Sequence, residues 1–242
     1  MTIGIFIVGT DTGVGKTYVT AQLANQFRTE GRSVGIYKPA CSGAEYDALS
    51  NPIWTDAEIH FEALGGLFPR ERIAPQCFVA PLAPPVAARC EGRYVDEELL
   101  LAGADWWFGR VDILLIEGAG GLLSPLSSQR LVVDLAIEVG FPLVIVGRLG
   151  LGAINHALLT ISAAEARSLE IAGVVLNQGM EGALGLAEKT NPAELAARTT
   201  VPILAVLKKD ESLVLNERQH PHRICWFDLA RKSGRFPATK SC

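Results

Sequence analysis

The sequence predicts an α/β fold, a mostly parallel sheet with helices on both faces. Three observations predict it. Apolar runs alternate with amphipathic helical patterns along most of the chain, and the runs are apolar at successive positions, as strands buried on both faces must be. At 242 residues, 49% of them hydrophobic, the chain can bury a sizeable core, so one domain over 1–242 is expected rather than two small ones. The first apolar run also ends in a glycine-rich segment that opens a helix, GTDTGVGKT from Gly9 to Thr17.

Taken in order, the first strand is Ile3 to Val8, and the helix after it spans Lys16 to Glu30, with Val19, Leu23, Ala24 and Phe27 on one face. Ser33 to Tyr37 is the second strand. A helix over Val95 to Trp107 follows, its core face marked by Val95, Leu99, Ala102 and Trp106. Strand Asp112 to Ile116, helix Leu131 to Val139 and strand Pro142 to Val146 come next. The helix over Ile154 to Leu169 carries Ile154, Leu158, Ile161 and Leu169 on one face. Strand Ala172 to Leu176, helix Pro192 to Arg198 and strand Pro202 to Leu207 complete the alternation. From Asp210 to Cys242 the chain turns basic and proline-bearing, and only Ile224 to Leu229 reads as buried, so a final strand plus a loose tail is expected over 210–242.

The segment between first strand and first helix has the chemistry of a phosphate-binding loop, and makes the fold the phosphate-loop NTPase type. Glycines let the backbone curl so that N–H groups converge on anionic oxygens, and the helix start adds partial positive charge. Lys16 then reaches the β- and γ-phosphates and Thr17 gives its hydroxyl to Mg²⁺. Five residues rather than four separate Gly9 from Gly15. In such a sheet ligands gather at the carboxyl ends of the strands. There the second strand ends in KPACSG, with Lys38 and Ser42, and the third in Glu117 followed by GAGG. A carboxylate closing an apolar run is placed to help hold Mg²⁺, and the glycines after it permit close backbone approach. Lys38, beside the phosphate loop, is placed to stabilise a transferring phosphoryl group.

Composition excludes several alternatives. The 26 acidic and 22 basic residues give a formal charge of −4, no footprint for nucleic acid or an anionic membrane, so a small-molecule substrate is expected. The first apolar run has no basic flank, no small-residue cleavage site follows it, and no apolar stretch reaches about 18 residues, which reads as a cytoplasmic protein. Cys41, Cys77, Cys90, Cys225 and Cys242 form no C-x-x-C pair and read as reduced thiols; His220 and His222 fall in a polar stretch that reads as solvated tail.

GTDTGVGKT, YKPACSG, Asp56 opening a helix, IEGAGGLLSPL, GLGAINHALLT and GVVLN resemble the dethiobiotin synthetase family in order, spacing and wording, from about Ile3 to Asn177. That family also uses the five-residue loop spacing. The resemblance implies an ATP- and Mg²⁺-dependent ring closure in biotin synthesis, in which diaminopelargonate, carbon dioxide and ATP give dethiobiotin, ADP and phosphate. One substrate amine captures carbon dioxide as a carbamate, the γ-phosphate converts it to a carbamic-phosphoric anhydride, and the neighbouring amine closes the ring. It also implies roles residue by residue. Lys16 and Lys38 neutralise the γ-phosphate and carbamate oxygens, with Lys38 the catalytic residue, and Thr12 and Ser42 contact the carbamate or the transferred phosphate. Thr17, Asp56 and Glu117 hold Mg²⁺. Asp47 lies in the same loop region as Asp56, but Thr55-Asp56-Ala57 at a helix start fits the family pattern better. The backbone of Gly13, Val14, Gly15, Lys16, Thr17 and Tyr18 wraps the phosphates, Gly118, Ala119 and Gly120 border the nucleotide, and Asn177 with Gln178 meets the adenine.

For the far end of the substrate, GLGAINHA opens a helix after the strand Pro142 to Val146. On local grounds Gly152, Ala153, Ile154 and Asn155 read equally as a carboxylate site at a helix start or as a glycine-rich turn capped by Asn155. The resemblance favours the first reading and assigns this turn to the partner subunit of a homodimer. Two segments depart from the family. Ala83-Pro84-Pro85-Val86 replaces Ser-Pro-His, and Ala205-Val206-Leu207-Lys208 stands where a Gly-x-Ile/Leu-Pro element beside the adenine is expected. A switch ATPase of the same architecture would carry a second lysine early in the loop, where this chain has Asp11, and a tetrapyrrole amide synthetase would need a glutaminase domain for which the chain is too short.

Overall fold

The computed structural model describes residues 2–179, 185–207 and 225–232. The chain runs through β1 (Ile3–Gly9), α1 (Lys16–Thr29) and β2 (Val34–Tyr37), and then makes an excursion of short elements. These are β3 (Cys41–Ser42), β4 (Glu45–Tyr46), β5 (Pro52–Ile53), α2 (Thr55–Ala63), α3 (Arg70–Ile73), β6 (Cys77–Phe78), α4 (Pro84–Cys90) and α5 (Glu97–Asp105). The alternation resumes with β7 (Ile113–Gly121), α6 (Val132–Val139), β8 (Leu143–Arg148), α7 (Ala153–Glu165), β9 (Ile171–Asn177), α8 (Leu186–Ala196) and β10 (Ile203–Leu207), and α9 (Trp226–Leu229) and β11 (Arg231–Lys232) follow.

The main sheet has the order β10-β9-β8-β1-β7-β2, with its neighbours parallel, and β11 pairs antiparallel with the start of β1. The expected mostly parallel α/β sheet is therefore the observed one. Its strands are apolar without alternation because helices cover both faces: Ile5, Phe6, Ile7 and Val8 of β1 and Ile113 to Ile116 of β7 are all fully buried. From β1 the chain departs beyond β7 to β2, and later it crosses from β7 over β1 to β8. The strand order thus reverses around β1, and the crevice outside its carboxyl end is where such sheets bind ligands.

Several boundaries move. β7 does not stop near Ile116 but runs on through GAGG, pairing again as Gly9 against Gly121 after an irregularity in register, so Glu117 lies inside the strand, opposite Ile7. In α5 the core face is Leu100, Gly103 and Ala104, continued by Trp107, while Leu99 is half-buried and Ala102 exposed. Asp96 is the N-cap and accepts the Leu99 N–H, so the helix starts at Glu97, two residues later than Val95, which is itself buried ahead of it. Gly103 then faces the sheet, where a Cβ would stand 2.3 Å from the Tyr37 hydroxyl. α7 buries Ala153, Ala157, Thr160, Ile161 and Ala164, with Ile154 and Leu158 at the margin, and ends at Glu165, short of Leu169.

Helix α8 begins at Leu186 and not at Pro192, which lies inside it. Proline favours a helix start, hence the expectation, but the preceding Asn191 is buried and donates to the Leu149 and Gly150 carbonyls, which ties this stretch to the loop after β8. The expected final strand over Ile224 to Leu229 is in its described part the helical turn α9, anchored by the buried Trp226, and the strand is Arg231–Lys232 instead. Lys208, His220, His222, Cys242 and most of 210–242 lie outside the described residues. Among the described residues no helix is long and apolar enough to cross a membrane.

Candidate active site

The glycine-rich loop joins β1 to α1 at the reversal point of the sheet. Gly15 caps α1 with φ 97°, a left-handed conformation that L side chains rarely adopt, and a Cβ there would lie 2.0 Å from the Asn177 side-chain nitrogen. Asn177, the last residue of β9, donates through Nδ2 to the Val14 carbonyl at 3.0 Å and so pins the loop from a strand that lies beyond β8. Lys16 is almost wholly buried and reaches back along the loop, its Nζ donating to the Asp11 carbonyl at 3.1 Å. Burial pulls its pKa below the ordinary lysine value, with Glu117 acting in the opposite direction.

Beside the loop four side chains from four elements converge. Thr17, in the first turn of α1, donates its hydroxyl toward Asp56 Oδ1 at 2.8 Å and Glu117 Oε1 at 3.0 Å. Lys38, just past β2, puts its ammonium between the same two carboxylates, 2.7 Å from Glu117 Oε1 and in direct contact with Asp56 Oδ2. Lys38 and Glu117 are both buried. Burial alone would lower the pKa of Lys38, but Glu117 and Asp56 outweigh it and hold the ammonium above the ordinary value. Burial likewise works to raise Glu117, and the adjacent Lys38 ammonium overcomes it, keeping the carboxylate well below its usual range.

His60 was not legible as a site residue. It follows Asp56 by four on α2, hence on the same face, and that spacing was the available signal. Fully buried, it places Nε2 2.8 Å from Glu117 Oε2, close but without hydrogen-bond alignment.

Most of the expected residues border one cleft of about 640 Å³: Thr12, Gly13, Gly15, Lys16, Thr17, Tyr18, Lys38, Ser42, Asp56, Glu117, Ala119 and Gly120. Val14 instead turns its side chain into the core, and Gly118 lies against Val132. Asp47 is far from this chemistry in character: it sits in the β4–β5 turn, accepting the Leu49 and Asn51 N–H groups, while Asp56 is the carboxylate brought to Thr17 and Lys38. Asn177 meets the loop from outside the cleft lining, and Gln178 donates its backbone N–H to the Leu207 carbonyl. Gly152 caps α7 in a left-handed conformation, and none of Gly152 to Asn155 lines the Lys38 cleft of the same chain. Where the family motif has Ser-Pro-His, Ala83 and Pro84 join Pro81 and Leu82 in an apolar wall.

The AAA domain family matches residues 3–217. The ATP-dependent dethiobiotin synthetase BioD of Anaeromyxobacter sp. (strain Fw109-5) is 42% identical over 215 residues, covering 89% of this chain and 94% of that protein. That of Bacillus velezensis is 36% identical, covering 89% and 90%. The chain belongs to the ATP-dependent dethiobiotin synthetase family. Solved structures that resemble this member of the dethiobiotin synthetase family include the MinC:MinD cell division complex of Aquifex aeolicus, at TM-score 0.52 and 17% identity, covering 89% of both chains. A putative plasmid partition protein of Borrelia burgdorferi B31 bound to AMPPNP gives TM-score 0.51 and 13% identity, covering 87% of this chain and 88% of that one. These two likenesses speak to the phosphate-loop NTPase fold alone.

The donor set of this dethiobiotin synthetase family member fits Mg²⁺. A hydroxyl and two carboxylates meet within hydrogen-bonding distance, all hard oxygen ligands of the kind Mg²⁺ takes alongside water and nucleotide phosphates.

Proposed function

We propose that this chain is a dethiobiotin synthetase, an ATP-dependent cyclo-ligase that forms the carbon–nitrogen bonds of the ureido ring of dethiobiotin from diaminopelargonate and carbon dioxide. The observation that carries the reading at this site is the meeting of Lys38, Thr17, Asp56 and Glu117 beside the glycine loop. Family membership supplies the substrates.

In this reading the backbone from Gly13 to Tyr18 wraps the ATP phosphates, with Gly118, Ala119 and Gly120 along the opposite strand, and Lys16 turns from the Asp11 carbonyl to the β- and γ-phosphates. Thr17, Asp56 and Glu117 would hold Mg²⁺, which would supply neutralisation of phosphate charge. Lys38, held between its two carboxylates, would turn to the carbamate and the γ-phosphoryl group and counter their charge. A carbamate is a poor electrophile because its leaving group would be oxide; once phosphorylated it loses phosphate when the second amine attacks. That amine is tethered close by, so positioning and charge stabilisation suffice for catalysis. Thr12 and Ser42 orient the carbamate from the two sides of the cleft, Pro81, Leu82 and Ala83 flank the aliphatic chain, and Asn177 with Gln178 receives the adenine.

The working unit in this proposal is a homodimer in which Gly152 to Asn155 of one protomer bind the substrate carboxylate over the Lys38 of its partner. Two features support it: those residues lie outside their own chain's Lys38 cleft, and a separate groove is flanked by the exposed Leu123 and Leu159, with Leu151 exposed beside Gly152. We further take 1–242 as one domain and the cytoplasm as the compartment, where ATP and carbon dioxide are at hand. The test is ADP release with diaminopelargonate and bicarbonate, each omitted in turn. Release should require both, and hydrolysis that ignores the diamine would make the chain a switch ATPase instead.

A further inference from the structure

Glu117 is the most connected group of the site, yet its two oxygens are served unequally. Oε1 accepts from the Thr17 hydroxyl and from Lys38, whereas Oε2 has no hydrogen bond among the described residues. The group nearest Oε2 is His60 Nε2, at 2.8 Å. His60 is itself fully buried, and neither ring nitrogen has a hydrogen-bond partner among the described residues. Burying an imidazole this way is unfavourable, and an aliphatic side chain would fill the same position in α2 without that penalty. The arrangement is stable only if the histidine gains from the carboxylate in front of it.

We propose that His60 is a positioning residue: it holds Glu117 Oε2 from behind so that Oε1 faces Thr17, Lys38 and the cation. This rests on the reading of Thr17, Asp56 and Glu117 as the Mg²⁺ site. At 2.8 Å a modest rotation of the ring aligns Nε2–H on Oε2, and the carboxylate plane is then fixed at both oxygens. Asp56 and His60 share one face of α2, so a single helix supplies one ligand directly and orients a second through the histidine. His60 touches neither nucleotide nor substrate in this account, and its effect reaches the reaction only through Glu117.

The test is Mn²⁺ binding followed by electron paramagnetic resonance in the presence of ADP, for the unaltered protein and for His60→Phe, His60→Gln and Glu117→Gln. His60→Phe keeps a ring of similar size without the donor and should weaken Mn²⁺ binding roughly tenfold to a hundredfold, the range seen when such outer partners are removed. His60→Gln restores an N–H and should recover most of the loss, and raised Mg²⁺ should return turnover in His60→Phe toward normal. ADP affinity without metal should stay unchanged in both. If His60→Phe does not fold, His60→Leu carries the same expectation. Mn²⁺ affinity within twofold of normal in the histidine variants, alongside a clear loss in Glu117→Gln, overturns the role of His60 and leaves the metal site standing. Equal affinity in Glu117→Gln as well overturns the metal site and the inference with it.

Discussion

Lys38 carries the sharpest prediction at the scale of single residues. Its ammonium lies between Asp56 and Glu117, past the end of β2, which β7 separates from the strand that carries the glycine loop, and no other lysine among the described residues contacts both carboxylates. Lys38→Ala should leave ATP binding near normal and lower turnover by two or more orders of magnitude, about 2.7 kcal/mol of transition-state stabilisation. Isothermal titration beside steady-state kinetics checks it, and near-normal turnover removes Lys38 from the mechanism. The oxygen ligands predict a second outcome. Chelator should abolish activity, Mn²⁺ should replace Mg²⁺, and Glu117→Gln should shift the half-saturating Mg²⁺ upward; full activity in chelator contradicts the assignment. Lys16, Thr17, Lys38 and Glu117 were legible because each stands where a strand or loop meets the ligand edge of the sheet. Asp56 was legible only through the family resemblance, since nothing local says that α2 leans over the loop. His60 was missed because a lone histidine on a short helix carries no signal until its neighbour at four residues is placed beside Thr17 and Lys38.

At the scale of elements, the site depends on how β1, the loop and α1 are joined. Gly15→Ala would force a Cβ into a residue at φ 97° and against the Asn177 amide. The strain should cost about 1–3 kcal/mol in stability, measured by urea unfolding, and displacing Asn177 should weaken ATP binding tenfold or more. Unchanged ATP affinity would mean that the loop conformation seen here is not the one that binds. The strands and the first helix were legible because burial on both faces writes itself into continuous apolar runs. Phase and ends were not. The α5 stripe was misplaced by one position because the residue that packs closest to the sheet is Gly103, which has no side chain to mark an apolar face, and α8 was shortened because Pro192 reads as a start although Asn191 anchors it as an interior turn. The small elements β3 to β6, two residues each, are too short to show any period, and Cys41 facing Cys77 across β3 and β6 was invisible for that reason.

For the whole molecule, the composite site predicts complementation. Lys38→Ala and Asn155→Glu should each be folded and inactive, the second because a carboxylate at the start of α7 repels that of the substrate. Refolded together, they should form mixed dimers with one site built wholly from intact halves, and part of the activity should return. Activity that stays at background would confine the site to one chain. The central claim, ring closure through a phosphorylated carbamate, is tested most directly by oxygen transfer. With bicarbonate labelled in oxygen-18 and ATP unlabelled, the account predicts that the released phosphate carries one labelled oxygen, the carbamate oxygen that bridged to phosphorus, while another remains in the ureido carbonyl. Phosphate free of that label, formed at the same rate as dethiobiotin, would contradict it.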